Sequence, residues 1–440
     1  MDGLEDRRAS TEMPPTTMRE KKYDLICAGC GEPVEAGRCP NCPDALLRTD
    51  YVAKTFRPSA IDGIFRYADW LPPSESFETP IGPSVYRSER LAESLGLQRL
   101  YIGFNGYAPE VGARNLTGSF KDFEALPTLL RFREEGKGAI VLASAGNTAR
   151  AFAYAGTLLD FPIYAVVPEA MLDRCWLPVQ ASGAVRLIVL QNSGDYAEAI
   201  RLASRLSERF ELPPEGGARN VARRDGMGTS LLEFARQVGG LPRHYVQAVG
   251  SGTGAIAAWE ASLRLRATED FAGPLPVLHL VQNAPFAPIH EAWTEKRPIG
   301  AGEHLEDQLA RIAQIDAPVL ANRTPPYAIA GGVRDALQAT GGTTTAVSNT
   351  EIAEARSLFL ETEGLPISPE AGAAVAALRR ADRRSAIPPQ ESVLLNVTGN
   401  NDALIRRDYE IRPIEPWLRL HPTDLSDRSL ARLADRFEKP

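Results

Sequence analysis

Three times in this chain a short apolar run ends in a cluster of small residues. Residues 139–143 lead into Ser144-Ala145-Gly146-Asn147-Thr148 and an alanine-rich stretch that reads as a helix to about Leu159. Residues 245–249 lead into Gly250-Ser251-Gly252-Thr253-Gly254 and a helix over 255–266, and residues 393–397 end in Thr398-Gly399-Asn400-Asn401. Such alternation of buried strand and helix argues for parallel sheets covered by helices. The same alternation places strands at 100–104, 163–167, 185–190 and 277–281, and helices at 88–95, 121–135, 169–177, 195–210, 229–238, 351–363 and 369–381. Pro127 is expected to kink its helix or mark a late start. Pro213-Pro214-Glu215-Gly216-Gly217 breaks the alternation and marks a domain crossing. The aromatic and proline-rich passage through Phe65, Trp70 and Pro72 reads as an irregular arm on a larger body, and 424–439 as an amphipathic surface helix.

With 440 residues, 44% hydrophobic and 24% charged, the chain is long enough for two or three domains. A net charge of -7 argues against a nucleic-acid partner, although the pair Arg223-Arg224 is free to bind small anions. Residues 1–22 lack an apolar segment and read as a disordered extension. No run of about 18 apolar residues occurs, so a cytoplasmic location without a membrane partner is expected.

Four of the five cysteines form Cys27-x2-Cys30 and Cys39-x2-Cys42. Two such knuckles can aim four thiolates at one tetrahedral zinc, and four thiolates leave no open position for catalysis, so the expected role is structural. Two disulfides, or a relic without metal, fit the same spacing. Cys175 reads as a packed small side chain. The five histidines form no i, i+4 metal pair.

Gly118-Ser119-Phe120-Lys121-Asp122 places a lysine between a glycine turn and a helix start. An amine attacks an aldehyde only when unprotonated, and apolar neighbours such as Phe120 and Phe123 favour that form. Taken alone, a solvated charge on a helix is the commoner role of such a lysine. The Gly250 to Gly254 run lets backbone N–H groups approach a phosphate at the positive end of a helix. It matches neither a dinucleotide fingerprint nor a Walker A loop, and an ordinary tight turn would read the same way. Ser144 to Thr148 can bind a second anion such as a substrate carboxylate, and Asn147 can donate to a phenolic oxygen; an N-cap and turn is the alternative. The Thr398 hydroxyl can bond a neutral ring nitrogen, or merely end its strand. A reactive lysine, a phosphate loop and a hydroxyl for a ring nitrogen are together the three handles of pyridoxal phosphate.

Taken in order, these four stretches resemble the motifs of fold-type-II pyridoxal-phosphate enzymes, most closely the threonine synthase group, over nearly the whole chain. The cysteine arm, Gly63-Ile64-Phe65-Arg66-Tyr67-Ala68-Asp69-Trp70-Leu71-Pro72 and Tyr101-Ile102-Gly103-Phe104-Asn105-Gly106-Tyr107 resemble the cysteate synthase family within that group. The resemblance implies an α/β architecture of two parallel-sheet domains with a zinc-ribbon-like module: 1–22 extension, 23–50 module, 51–137 with 214–440 the large cofactor-binding domain, and 138–213 the small domain. It implies that Lys121 is joined to the cofactor, that Asn147 meets its 3'-oxygen, that Gly250, Ser251, Gly252, Thr253 and Gly254 hold its phosphate, and that Thr398 meets its ring nitrogen. Ser144, Ala145, Gly146 and Thr148 are left for the amino-acid substrate.

The implied reaction is β-replacement, converting O-phospho-L-serine and sulfite to L-cysteate and phosphate, in a homodimer. Threonine synthesis from O-phosphohomoserine, a related replacement with another nucleophile, and a zinc-ribbon binding protein on an inactive scaffold are the competing readings. Phe123 and Asn400 stand where threonine synthases usually carry Arg and His. Two anions sharing one site call for a guanidinium, and Arg114, Arg150 and Arg224 are candidates by proximity to the motifs.

Overall fold

The computed structural model describes residues 21–192, 196–380, 387–400, 402–421 and 434–437. Nearly all of the expected N-terminal extension, Asn401 and most of the expected surface helix at 424–439 lie outside these residues.

Two parallel sheets organise the chain. The larger has six strands in the order Thr343–Val347, Val277–Asn283, His244–Ala248, Ser392–Val397, Arg99–Phe104 and Val85–Arg87, all parallel except the last, antiparallel edge. The smaller has four parallel strands in the order Pro416–Leu420, Val185–Leu190, Ile163–Pro168 and Ile140–Ala143. Every residue of His244–Ala248, Ile163–Pro168 and Ser392–Val397 is buried, which is why these strands read as mostly apolar runs, the buried His244, Gln247, Ser392 and Asn396 excepted. The strand Pro416–Leu420 pairs with Val185–Leu190, so the chain returns to the small sheet within the segment 214–440 expected from sequence to belong to the large domain.

Helices cover both sheets. In Tyr196–Phe210 the buried residues Ala199, Leu202, Ala203 and Leu206 fall on one stripe, which packs on the small sheet. The lysine-bearing helix Asp122–Glu134 runs through Pro127 without ending there. Proline at this place deprives the Phe123 carbonyl of its helical donor. Gly226 of the helix Val221–Val238 lies against that carbonyl so closely that a Cβ would come within 1.9 Å of it. The helix Val221–Val238 starts eight residues before the expected Thr229, capped by the Asn220 side chain, which accepts from the amides of Ala222 and Arg223. The expected helix at 169–177 is instead a 3-10 turn, Glu169–Arg174, followed by the short strand Trp176–Leu177.

The N-terminal module is a three-stranded antiparallel sheet in the order Pro33–Val34, Tyr23–Cys27 and Leu47–Tyr51. It docks on the larger body through Asp225, which accepts from Thr49 Oγ1 at 2.8 Å and Tyr51 Oη at 2.7 Å. The buried Arg224 adds bonds to the Leu47 carbonyl and to Glu260. The arm that follows forms the 3-10 helix Ile64–Trp70, with the Tyr67 hydroxyl donating to Glu233. Among the described residues no helix is long and apolar enough to cross a membrane.

Candidate active site

The small-residue loops noted in the sequence all follow the C-terminal ends of parallel strands, the end at which open α/β sheets bind ligands. One cavity gathers Phe120, Lys121, Ser144, Ala145, Asn147, Thr148, the whole Gly250 to Gly254 loop and Thr398 from chain positions nearly 280 apart. Gly146 is the exception. Its φ of +118° makes the turn, and its α-carbon faces Arg174 and not the cavity.

Lys121 is the N-cap of the helix Asp122–Glu134, with the Phe120 ring centre 4.8 Å from its amine. Burial lowers its pKa from the ordinary lysine value; the charge of Glu124 opposes that shift and the charge of Arg223 adds to it. Phe123 is fully buried in the core and does not line the cavity, so the lysine's apolar neighbour there is Phe120. Asp122 does not itself line the cavity; it accepts from Thr117 Oγ1 at 2.6 Å, and burial pushes its carboxyl up to about 7.

A carboxylate that sequence reasoning did not single out sits beneath the lysine. Glu124, with no exposed surface, lies 3.3 Å from Lys121 Nζ, 3.0 Å from Arg223 Nε and 3.1 Å from Thr148 Oγ1, which donates to it. Its only signal in the sequence is position, one helical turn beyond the lysine.

Ser144 accepts from the amides of Gly146 and Ala149 at 3.0 and 2.8 Å, so its hydroxyl shapes the start of the helix Asn147–Leu159. Asn147 lines the cavity and accepts from Arg150 at 3.1 Å. In the Gly250 to Gly254 loop, Gly252 has a φ of +79°, and a Cβ at Gly254 would lie 2.6 Å from Gln247 Nε2. Gly252 needs its positive φ, a Cβ at Gly254 would press on the buried Gln247 side chain, and the helix Thr253–Arg266 starts at the cavity wall, where Thr253 N donates to Ser251 Oγ at 3.3 Å and Ala255 N to the Gly252 carbonyl at 3.0 Å. Thr398 is held by its own carbonyl, which accepts from Phe120 N at 3.0 Å, so hydroxyl and lysine are fixed side by side. Asn400 is occupied elsewhere: its side chain accepts from the amide of Tyr107 at 2.9 Å and donates to the Tyr107 carbonyl at 2.6 Å.

These groups fit pyridoxal phosphate: a buried amine whose charge is disfavoured, a cradle that excludes Cβ atoms at a helix start, and a hydroxyl facing the same space. The four cysteine sulfurs of the N-terminal module lie within 4.8 Å of one another, a spacing a tetrahedral zinc accepts. They are free thiols, and Cys30 Sγ lies 3.6 Å from Cys39 Sγ. Cys175 is buried and its thiol is pushed up to about 12 by that burial, which makes it a packing residue.

Residues 78–399 match the pyridoxal-phosphate dependent enzymes, and the chain belongs to that family. Within the family its relatives include cysteate synthases. It is 45% identical over 407 residues to the cysteate synthase of Methanocella arvoryzae, covering 92% of this chain and 97% of that one. To the cysteate synthase of Methanosarcina acetivorans it is 43% identical over 407 residues, covering 92% and 98%. The fold is similar to that of serine racemase from Dictyostelium discoideum, with a TM-score of 0.54 at 18% identity over 72% of this chain and 92% of that one.

Proposed function

We propose that this chain makes L-cysteate and phosphate from O-phospho-L-serine and sulfite. The observation that carries the proposal is one cavity that joins Lys121, the Gly250 to Gly254 loop and Thr398 in a chain 45% identical to a cysteate synthase.

In this reading Lys121 is joined to the cofactor, the Gly250 to Gly254 amides hold its phosphate, Asn147 meets its 3'-oxygen and Thr398 its ring nitrogen. Bound there, the cofactor supplies an electron sink that acidifies the substrate's α-proton. Lys121 Nζ, whose charged form burial disfavours, takes that proton and later returns it. The amides that open the helix Asn147–Leu159, with Ser144, Ala145 and Thr148 beside them, hold the substrate carboxylate. A threonine at the ring nitrogen, unlike a carboxylate, leaves that nitrogen unprotonated, which favours loss of a β-leaving group over transamination. At the β-carbon the C–O bond breaks and phosphate takes the bonding pair. The sulfur lone pair of sulfite then forms the new C–S bond.

The cysteine cluster takes one structural zinc in the same reading. The expected assembly is a homodimer, the expected location the cytoplasm, and the net charge of -7 supports small-molecule substrates over nucleic acid.

The test is incubation of the purified, cofactor-loaded protein with O-phospho-L-serine and sulfite, and in parallel with O-phosphohomoserine and water, followed by mass spectrometry of the products. Cysteate in the first reaction is expected. Threonine in the second without cysteate in the first would overturn the proposal.

A further inference from the structure

Lys121 and Arg223 are the cationic side chains among the described residues that line the cavity. Two buried carboxylates grip the Arg223 guanidinium from the protein side: Glu215 accepts from Nη1 at 2.8 Å, and Glu124 lies 3.0 Å from Nε. Of the five N–H donors in its planar fork, Nη1 bonds Glu215, Nε lies against Glu124 without a hydrogen bond, and Nη2 has no partner among the described residues. The small exposed part of Arg223, about 8% of the residue, belongs to the cavity wall. The two carboxylates therefore fix the guanidinium in one orientation and leave one edge for a ligand.

The edge is electrostatically mixed. Arg223 carries positive charge there and Lys121 adds to it when protonated, while Glu124, Glu215 and the cavity-lining Glu370 supply carboxylates, so an entering oxyanion is held by the directed Nη2 donor and not by a net positive field. The guanidiniums closest in sequence to the motifs are otherwise engaged. Arg150 donates to the Arg174 carbonyl at 3.0 Å and to Asn147 at 3.1 Å, and the neighbouring cleft that it lines carries Asp173, Asp316 and Asp402. Arg224 serves the N-terminal module and Glu260, and Arg114 is exposed on a short strand outside the cavity lining.

We propose that Arg223 binds the oxyanion exchanged at the substrate's β-carbon, first the leaving phosphate and then the entering sulfite. This rests on the β-replacement reading. Both anions act at the same carbon in turn, one departing with the C–O bonding pair and the other arriving with a sulfur lone pair. The Nη2 group at the cavity wall serves both, because each anion presents negatively charged oxygens with lone pairs that accept its N–H groups.

Sulfate serves as the probe, since it presents the same oxygens as sulfite without a nucleophilic lone pair on sulfur. Its binding to the cofactor-loaded wild type, Arg223→Gln and Arg223→Lys is measured by calorimetry, alongside kcat and the KM for sulfite. Arg223→Gln is expected to weaken sulfate binding and raise the sulfite KM by about tenfold or more, the worth of a charged hydrogen bond. Arg223→Lys is expected to recover part of the loss. Unchanged sulfate affinity and sulfite KM in either variant would overturn the proposal. If Arg223→Gln fails to fold with Glu124 and Glu215 left unpaired, Arg223→Lys decides alone, with about threefold weaker sulfate binding expected and wild-type binding overturning it. A wild type that binds sulfate through Arg223 yet makes no cysteate would overturn the β-replacement reading and support the anion site. Cysteate production with no effect at Arg223 would overturn the anion site only.

Discussion

The amine of Lys121 lies 3.3 Å from the carboxylate of Glu124, one helical turn further along the helix Asp122–Glu134. Because Glu124 also reaches Thr148 and Arg223, a single buried carboxylate joins the lysine to the first loop of the small sheet and to the cation proposed to hold the exchanged anion. The charge state of the lysine and the shape of the anion site therefore depend on the same group.

Glu124→Gln is expected to move the acid limb of the pH dependence of kcat, which reports the lysine freed in the enzyme–substrate complex, to lower pH by about one unit. The Glu124 charge raises the lysine pKa, whereas burial and Arg223 lower it. Removing the charge leaves burial and Arg223 opposed only by the charge of Glu215, so the amine stays uncharged further into acid. A limb that stays in place or moves upward would show that the two side chains do not interact in the working enzyme.

Asp122 makes stability depend on pH in a particular direction. Its carboxyl is raised from an ordinary value near 3.8 to about 7 by burial, so the folded chain favours the protonated form. That contribution is fully present below pH 3.8 and is lost as pH rises through about 7. Across that window the unfolding free energy of Asp122→Asn is expected to rise relative to wild type with increasing pH, as read from urea denaturation midpoints. A constant difference would place Asp122 in a wetter setting than the one described here.

Gly226→Ala tests the packing that accommodates Pro127. A Cβ there would lie 1.9 Å from the Phe123 carbonyl oxygen, a backbone atom that cannot swing aside. The cost is expected to be about 3 kcal/mol, visible as a lowered denaturation midpoint. Because Gly226 is less than a turn from Arg223, a weaker affinity for sulfate is expected with it. Wild-type stability would mean that the two helices can separate without loss.

The cysteine cluster is expected to hold one zinc per chain by elemental mass spectrometry. Stripping it with a chelator, or replacing the buried Cys39 by serine, is expected to lower Tm by a few degrees. Loss of the zinc loosens the strand Leu47–Tyr51, which is bonded to Arg224 and Asp225. A metal-free protein with unchanged Tm would leave the cluster without a structural role.

Much of the framework was legible because its signals are local. Fully buried strands such as Ile163–Pro168 and Ser392–Val397 show as apolar runs, and loops that must approach a ligand closely show as small residues. The strand Thr343–Val347 was not legible, since it lies at the sheet edge with three of its five residues only partly buried and forms no apolar run. The strand Pro416–Leu420 is mostly half-buried or exposed, and its pairing with the small sheet is a contact between distant parts of the chain. The start of Val221–Val238 was hidden by Gly226 and Gly228, poor helix formers kept because two neighbouring backbones pass close by.

By itself the sequence determined the succession of strands, loops and helices and the residue types that suit an aldehyde, a phosphate and a ring nitrogen, because each depends on near neighbours in the chain. Only the tertiary structure decided which cation reaches the cavity. Successive residues on a helix point about 100° apart. Asn220 sets where that helix begins, and so Arg223 faces the lysine while Arg224, its neighbour, turns to the N-terminal module.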